Sequence, residues 1–223
     1  MADKDDFPGA GEFVPDGRPA LSALAAAVQD CRGCDLYERA TQAVFGRGAR
    51  SASLVLVGEQ PGDAEDRQGA PFVGPAGRIL DQALSQAGIR REDAYVTNAV
   101  KHFRWKPDPR GGKRRIHERP DAGQLRACRP WLDAELVRLS PRVIVTLGAT
   151  AGQALFGSSF RVSAHRGALV SWEAPARGGG VRDVDVVPTI HPSAVLRADN
   201  RDAALDGLAA DLRVAANAGL TGT

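Results

Sequence analysis

The chain has 223 residues, of which 43% are hydrophobic and 25% charged, and a net charge of +2. That is the composition of one ordinary globular domain, with enough chain for a full core. No apolar stretch has membrane-spanning length, the Asp-, Gly- and Pro-rich start has no signal-peptide core, and three cysteines argue against a disulfide framework, so an intracellular protein without a membrane partner is expected.

Residues 1–18 are expected to be a disordered lead-in, 19–217 a single folded domain and 218–223 a loose tail. From Pro19 to Asp30, Leu21, Leu24 and Val28 recur at helical spacing. Cys31-Arg32-Gly33-Cys34 follows. Two thiolates at that spacing can hold a metal or cluster from one turn. A redox pair would open a helix after a strand; this one follows a helix, which favours ligation.

Ser53 to Val57 is a short, β-rich apolar run that reads as a buried strand. It runs into Gly58-Glu59-Gln60-Pro61-Gly62-Asp63. In open α/β sheets ligands bind where the chain leaves the carboxyl end of a strand, and here that place carries a carboxylate and a carboxamide. The alternative is a tight turn with Glu59 in solvent. Pro71-Phe72-Val73-Gly74-Pro75-Ala76-Gly77 opens a helix that reads from Arg78 to Gly88, with Ile79, Leu80 and Leu84 inward. Ala94 to Asn98 is a second strand, leading into Lys101-His102.

A basic, Gly- and Pro-bearing loop covers 104–120. From Lys101 to Arg119 the chain carries +6, against −4 for the remainder, which suggests a polyanionic partner, DNA or RNA. Gln124 to Leu139 is a helix containing Cys128, Val143 to Leu147 a third strand, and Ala149 to Phe156 a short helix. Phe160 to Trp172 and Val184 to Ile190 read as strands joined by a glycine-rich tip at 177–180. His191-Pro192-Ser193 ends the last strand, and Ala203 to Asn217 is the closing helix. His165 reads as a surface residue without a role.

Alternating strands and helices predict an α/β fold, layered α/β/α with a largely parallel central sheet. Polar residues at three strand ends, Glu59 and Gln60, Asn98, and His191, predict a convergent site. Neither Gly-x-Gly-x-x-Gly nor Gly-Lys-Ser/Thr follows the first strand, which argues against a dinucleotide or nucleoside-triphosphate enzyme.

Together these segments resemble the uracil-DNA glycosylase superfamily. Gly58-Glu59-Gln60-Pro61-Gly62 resembles its first motif, and His191-Pro192-Ser193 its second. Pro71 to Gly77 is similar to the segment that follows in the iron–sulfur branch, family 4. Two departures from family 4, Gln60 for alanine and His102 for cysteine, together with Gly112-Lys113-Arg114-Arg115-Ile116-His117, resemble the UdgX subgroup. That subgroup excises uracil from DNA and stays covalently attached to the abasic sugar.

The resemblance implies roles for named residues. Phe72 would stack on uracil and Asn98 would read its edge, with Gly58, Asp63 and Ser193 completing the base pocket. His191 would donate a hydrogen bond to the departing base anion. His117 would attack the sugar, Glu59 would accept its other ring N–H, and Gln60 would position the loop or the substrate backbone. An ordinary imidazole is substantially neutral, hence nucleophilic, at cellular pH. Lys113, Arg114 and Arg115 would contact DNA phosphates or, alternatively, anchor the loop through ion pairs. Cys31, Cys34, His102 and Cys128 would hold a 4Fe-4S cluster; by ligand chemistry alone, structural zinc fits as well. The expected protein is a monomer acting once on uracil-containing DNA, single strands included. The alternatives are an ordinary turnover glycosylase and a non-catalytic metal module that binds DNA.

Overall fold

The protein is described by a computed structural model covering residues 7–220. In chain order the helices and strands are α1 (Leu21–Ala27), β1 (Arg47–Gly48), β2 (Leu54–Gly58), α2 (Asp63–Gln68), α3 (Pro75–Gln86), β3 (Tyr95–Asn98), β4 (Trp105–Pro107), β5 (Arg115–His117), α4 (Ala122–Leu139), β6 (Val143–Leu147), α5 (Ala149–Phe156), α6 (Val162–His165), β7 (Val170–Pro175), β8 (Val181–Thr189), α7 (Pro192–Leu196) and α8 (Arg201–Leu220).

Six strands form the central sheet in the order β1-β3-β2-β6-β8-β7. The inner four are parallel, with Leu56 opposite Val96 on one side and Val145 on the other. The two edge strands run antiparallel. β2, β3 and β6 are buried along their whole length; β2 and β6 accordingly read as mostly apolar runs, while β3 ends in the buried polar pair Thr97 and Asn98. Strand residues alternate between two cores. Val55, Val57 and Ile144 face Leu24, Trp131, Leu132 and Leu136 of α1 and α4. Leu54, Leu56, Val143 and Val145 face Leu80, Leu84, Leu208 and Leu212 of α3 and α8. The expected three-layer α/β/α architecture is therefore present.

Several expectations change. The basic segment 104–120 is not a plain loop, because β4 and β5 pair into a separate hairpin with Trp105 opposite His117. Residues 160–167 are not strand: they hold α6, and the strand starts only at Val170. The polar segment after Gly62 forms α2. Within the expected lead-in, Gly9 and Ala10 pack against the domain: Gly9 N–H donates to Gly33 O at 3.0 Å, Ala10 N–H donates to Ala127 O at 2.7 Å, and Ala10 is buried. The side-chain-free Gly33 permits that approach, since a Cβ there would lie 2.7 Å from the Gly9 and Ala10 backbone. Residues 218–220 continue α8. The remainder of the expected lead-in and tail, 1–6 and 221–223, lies outside the described residues. Among the described residues, no helix is long and apolar enough to cross a membrane.

Lys101, counted in the sequence as part of a basic surface, is fully buried. Its Nζ donates to Glu135 Oε2 at 2.5 Å, Thr97 Oγ1 at 2.8 Å and the Asn98 carbonyl at 2.7 Å. Glu135 also accepts from the Tyr95 hydroxyl at 2.9 Å and Gly46 N–H at 3.1 Å. The pair thus ties α4 to β3 directly beneath Asn98. A buried charge left without its partner is costly. Lys101→Met should therefore lower unfolding free energy by about 3–5 kcal/mol in denaturant titrations. Adding Glu135→Leu should not restore full stability, because Tyr95 and Gly46 would then be left without their acceptor.

Candidate active site

All four parallel strands end at the same edge of the sheet, and each delivers a functional side chain or turn there. β2 ends in Gly58 and is followed by Glu59 and Gln60. β3 ends in Asn98, β6 is followed by Gly148, and β8 leads to His191. Between them lies a cleft of about 730 Å³, lined by Glu59, Gln60, Asp63, Phe72, Asn98, His117, His191 and Ser193. The structure thus brings together the residues expected to form the site from distant segments. Gly58 sits just behind them: a Cβ there would lie 2.3 Å from Asn98 Oδ1 and 2.6 Å from the Phe72 ring. Only glycine leaves both side chains their places.

Phe72 is held in an unusual conformation, at φ 54°. Its carbonyl fits against Gly77, where a Cβ would come within 1.8 Å. Glu65 braces the segment on both sides, accepting from Gly62 N–H at 3.1 Å and Gly74 N–H at 2.8 Å. The starts of α2 and α3 are thereby tied together and the Phe72 ring is presented to the cleft. Its centroid is 6.0 Å from that of His191. Asn98 is 2% exposed, and its Oδ1 is buried without a hydrogen-bond partner. An orphaned buried acceptor in a cleft wall is costly unless a ligand donor meets it.

His191 N-caps α7. Its Nδ1 accepts from Ser193 N–H at 3.1 Å and contacts Ser193 Oγ at 2.8 Å. In the neutral ring the proton therefore sits on Nε2. Burial, with His117 and Arg197 nearby, pushes the imidazole pKa down to about 4. His191 is thus a neutral N–H donor.

His117 stands on β5, half exposed, with its ring 5.9 Å from that of Phe103. Its Nε2 lies 2.9 Å from Gln60 Nε2 and 3.6 Å from Glu59 Oε1. The expected hydrogen bond from its other ring nitrogen to Glu59 is therefore absent: the carboxylate faces Nε2, and at 3.6 Å it is beyond hydrogen-bond reach. Gln60 explains why. Its Oε1 accepts from Arg104 N–H at 2.9 Å, while its Nε2 donates to Arg104 O at 3.1 Å and Glu118 O at 2.8 Å. One buried carboxamide pins both strands of the hairpin and brings its amide face to His117. Glu59 turns its second oxygen to Thr150, whose hydroxyl donates to it.

Of the three expected phosphate contacts, Arg115 faces inward. Its guanidinium pairs with Asp63 at 2.5 Å and Asp66 at 2.6 Å and lies over the rings of Phe103 and Trp105. The ion-pair alternative is thus the one realised for Arg115. Asp63 lines the cleft but is committed to Arg115 and Arg67; partial burial opposes ionisation, and the two guanidiniums still hold its carboxyl below the usual range. Lys113 and Arg114 remain exposed at the hairpin tip.

Cys31, Cys34 and Cys128 are free and buried on the far side of the hairpin. Cys31 Sγ accepts from the Trp131 indole at 3.2 Å, and Cys128 Sγ from Lys101 N–H at 3.3 Å. Burial pushes Cys34 up to about 11 and Cys128 up to about 12, with further increments from the other cysteines. His102 is buried beside Arg32, and desolvation pushes its pKa down to about 4. Buried, unbridged thiols are soft donors, and Cys31 and Cys128 each already accept an N–H···S bond. Among the described residues, no group of three or more His, Cys, Asp or Glu side chains could hold a metal ion as it stands.

Sequence reading missed Glu65, Leu196 and Arg197, which line the cleft, and Thr150, which donates to Glu59. Thr150 could have been found by the rule already used for the other strand ends, since it lies just beyond the end of β6.

The fold and the cleft define an α/β protein in which an aromatic ring, a buried carboxamide and an imidazole N–H donor meet at the ends of the parallel strands. A sequence model of the family described as "Uracil DNA glycosylase superfamily" matches residues 45–213. The chain is 36% identical over 178 residues to the "Type-4 uracil-DNA glycosylase" of Thermotoga maritima, covering 79% of this chain and 83% of the relative. It is 35% identical over 177 residues to the protein so named in Pyrobaculum aerophilum, covering 79% and 85%. It is 33% identical over 182 residues to that of Sulfurisphaera tokodaii, covering 79% and 76%. This chain belongs to the uracil-DNA glycosylase superfamily.

The depressed His191 pKa has a testable sign. The unfolded ring takes a proton near 6.5 and the folded ring only near 4, so this group destabilises the fold as pH falls through that window. In nitrogen-15 NMR, the His191 ring should keep the Nε2–H tautomer from pH 8 to about 5. A titration step near the ordinary histidine value would show that the ring is not held neutral.

Proposed function

We propose that the protein removes uracil from DNA by breaking the N-glycosidic bond. The observation that carries this reading is the orphaned Asn98 Oδ1 in the cleft wall beside Phe72 and His191. Uracil presents a ring N–H donor between two carbonyl acceptors, whereas cytosine presents an acceptor beside an amino donor. With Oδ1 accepting from the ring N–H and Nδ2 donating to the neighbouring carbonyl, the Asn98 amide matches the first pattern; the second would require the amide to turn over. The base must leave its stack to enter, and Phe72 replaces the lost stacking.

As the bond breaks, its electron pair leaves with the base. His191, neutral and protonated at Nε2, donates to the developing anion. Glu59 faces the positive charge that builds on the sugar. Water then adds to the sugar carbon and gives up a proton to Glu59; transfer of that proton through solvent to the departed uracil anion restores the carboxylate and completes a turnover. The three relatives named as type-4 enzymes support this ordinary reading. A second reading is supported by the position of His117 Nε2, inside the cleft and within 3.6 Å of Glu59. There the Nε2 lone pair forms the bond to the sugar carbon, the Nδ1 proton is lost to solvent, and the protein remains attached, as the UdgX resemblance implies.

The exposed Lys113 and Arg114 would meet phosphates, which makes binding weaken as salt rises. Cys31, Cys34 and Cys128, with His102, would hold a 4Fe-4S cluster, a reading supported by the buried thiols and by the family 4 resemblance. When bound, such a cluster would supply structural ligation between the N-terminal segment and α4, not a reaction step. Iron and acid-labile sulfide should be present in purified protein and fall on Cys34→Ser; stoichiometric zinc without sulfide would overturn the assignment.

Incubation with a uracil-containing single-stranded oligonucleotide, followed by a denaturing gel, tests the reaction. Strand cleavage dependent on hot alkali is expected for turnover; a slow band surviving detergent and boiling reports the covalent product. If that band appears, His117→Ser should abolish it and leave uracil release. Gly58→Ala should cut release about a hundredfold or more, since its methyl group displaces Asn98 and Phe72. Equal release by that variant would show that the cleft is not the base pocket.

A further inference from the structure

Behind Glu59 lies a directed chain of hydrogen bonds that the reaction outlined above does not use. Thr150 is 2% exposed in the first turn of α5. Its Oγ1 accepts from Arg119 Nε at 2.9 Å, and its hydroxyl donates to Glu59 Oε2. Arg119 is held in turn by Gln153 Oε1 at 2.5 Å. A guanidinium can only donate, and a hydroxyl has a single hydrogen. With Arg119 filling the acceptor side of Thr150, the hydroxyl hydrogen is directed at Glu59. The bond to the carboxylate is polarised by a full positive charge behind it.

The chain also closes on itself. Arg119 follows His117 by two residues, and Glu59 Oε1 faces His117 Nε2. A hairpin that is out of place therefore withdraws Arg119 from Thr150 and removes the direction of the bond to Glu59. We infer that Thr150 is a positioning residue that aims Glu59 at the reacting sugar, with Arg119 coupling that aim to the seating of the His117 hairpin. The inference rests on Glu59 acting in uracil release. It holds for both the turnover and the covalent outcome, because Glu59 faces the sugar in each.

The near-isosteric Thr150→Val removes the donor without opening a cavity. Single-turnover uracil release should fall about ten- to hundredfold, the effect of losing a hydrogen bond to a charged group. Affinity for uracil-free DNA should not change, and Thr150→Ser should restore most of the rate. Arg119→Met should slow release in the same direction. In a Glu59→Ala background, Thr150→Val should cost less than twofold, because its target is gone. A full loss persisting in that background, or a Thr150→Val protein as fast as the parent, would overturn the inference. If the parent protein released no uracil, the proposed reaction would fail separately. The chain would then be read from proton NMR, where the Thr150 hydroxyl proton should be protected from exchange in the parent protein and lost in Glu59→Ala; no protected proton in the parent would overturn it.

Discussion

The position of His117 depends on the carboxamide of Gln60. The β4–β5 hairpin belongs to no larger sheet, so the central strands do not register it. Gln60 supplies what a neighbouring strand would, pairing with both the N–H and the carbonyl of Arg104 and reaching across to Glu118 O. Because Gln60 is buried, each bond lost there leaves a polar group that water cannot readily reach, at about 1–3 kcal/mol apiece. Two further fastenings flank it: Arg115 to Asp63 and Asp66 on one side, Arg104 to Asp121 and Gln124 on the other. The hairpin is thus tied to α2, to the end of β2 and to the start of α4. α2 and the segment after β2 line the cleft, and α4 carries Cys128.

This arrangement changes the meaning of the basic segment. Summed along the sequence, it is a strong positive patch. In the fold, Lys101 neutralises Glu135 in the core, Arg115 spends its charge on two aspartates, and Arg104 and Lys106 face Glu118 and Asp121. What remains for a polyanion is concentrated at the exposed hairpin tip around Lys113 and Arg114. Charge that looked like a DNA footprint is largely the mortar of the site, and a salt-dependent contact has to come from fewer residues than the sequence sum suggests.

The parallel core was legible because strands buried on both faces leave continuous apolar runs, as at 53–57 and 143–147. The polar residues that follow such runs were legible by the same rule, which located Glu59, Asn98 and His191. The hairpin was not, since β4 and β5 are three residues each and are held by a side chain from elsewhere. Gly9 and Ala10 lie in a stretch with the composition of a loose segment, yet they bond to Gly33 and Ala127, a long-range effect without a local signature. Thr150 looks like one more small residue in a helix. Its role arises because Arg119 and Glu59, far apart in sequence, meet on either side of one hydroxyl.

The two readings proposed above, completion by water or by imidazole, differ at one nitrogen. Gln60 Nε2 has two hydrogens and three acceptors within reach: two carbonyls and His117 Nε2. The hydrogen-bond pattern places a donor, not an acceptor, opposite that ring nitrogen, which assigns the lone pair to Nε2 and the proton to Nδ1. The two carbonyls compete for the same amide hydrogens, so the lone pair is only partly spent on Gln60. It is also held in the cleft beside Glu59. Under the covalent reading proposed above, an imidazole fixed in this way would compete with water at an effective concentration far above that of a free imidazole. On that reading the outcome would depend on how firmly the hairpin is seated, and hence on Gln60 and Arg115 as much as on His117 itself.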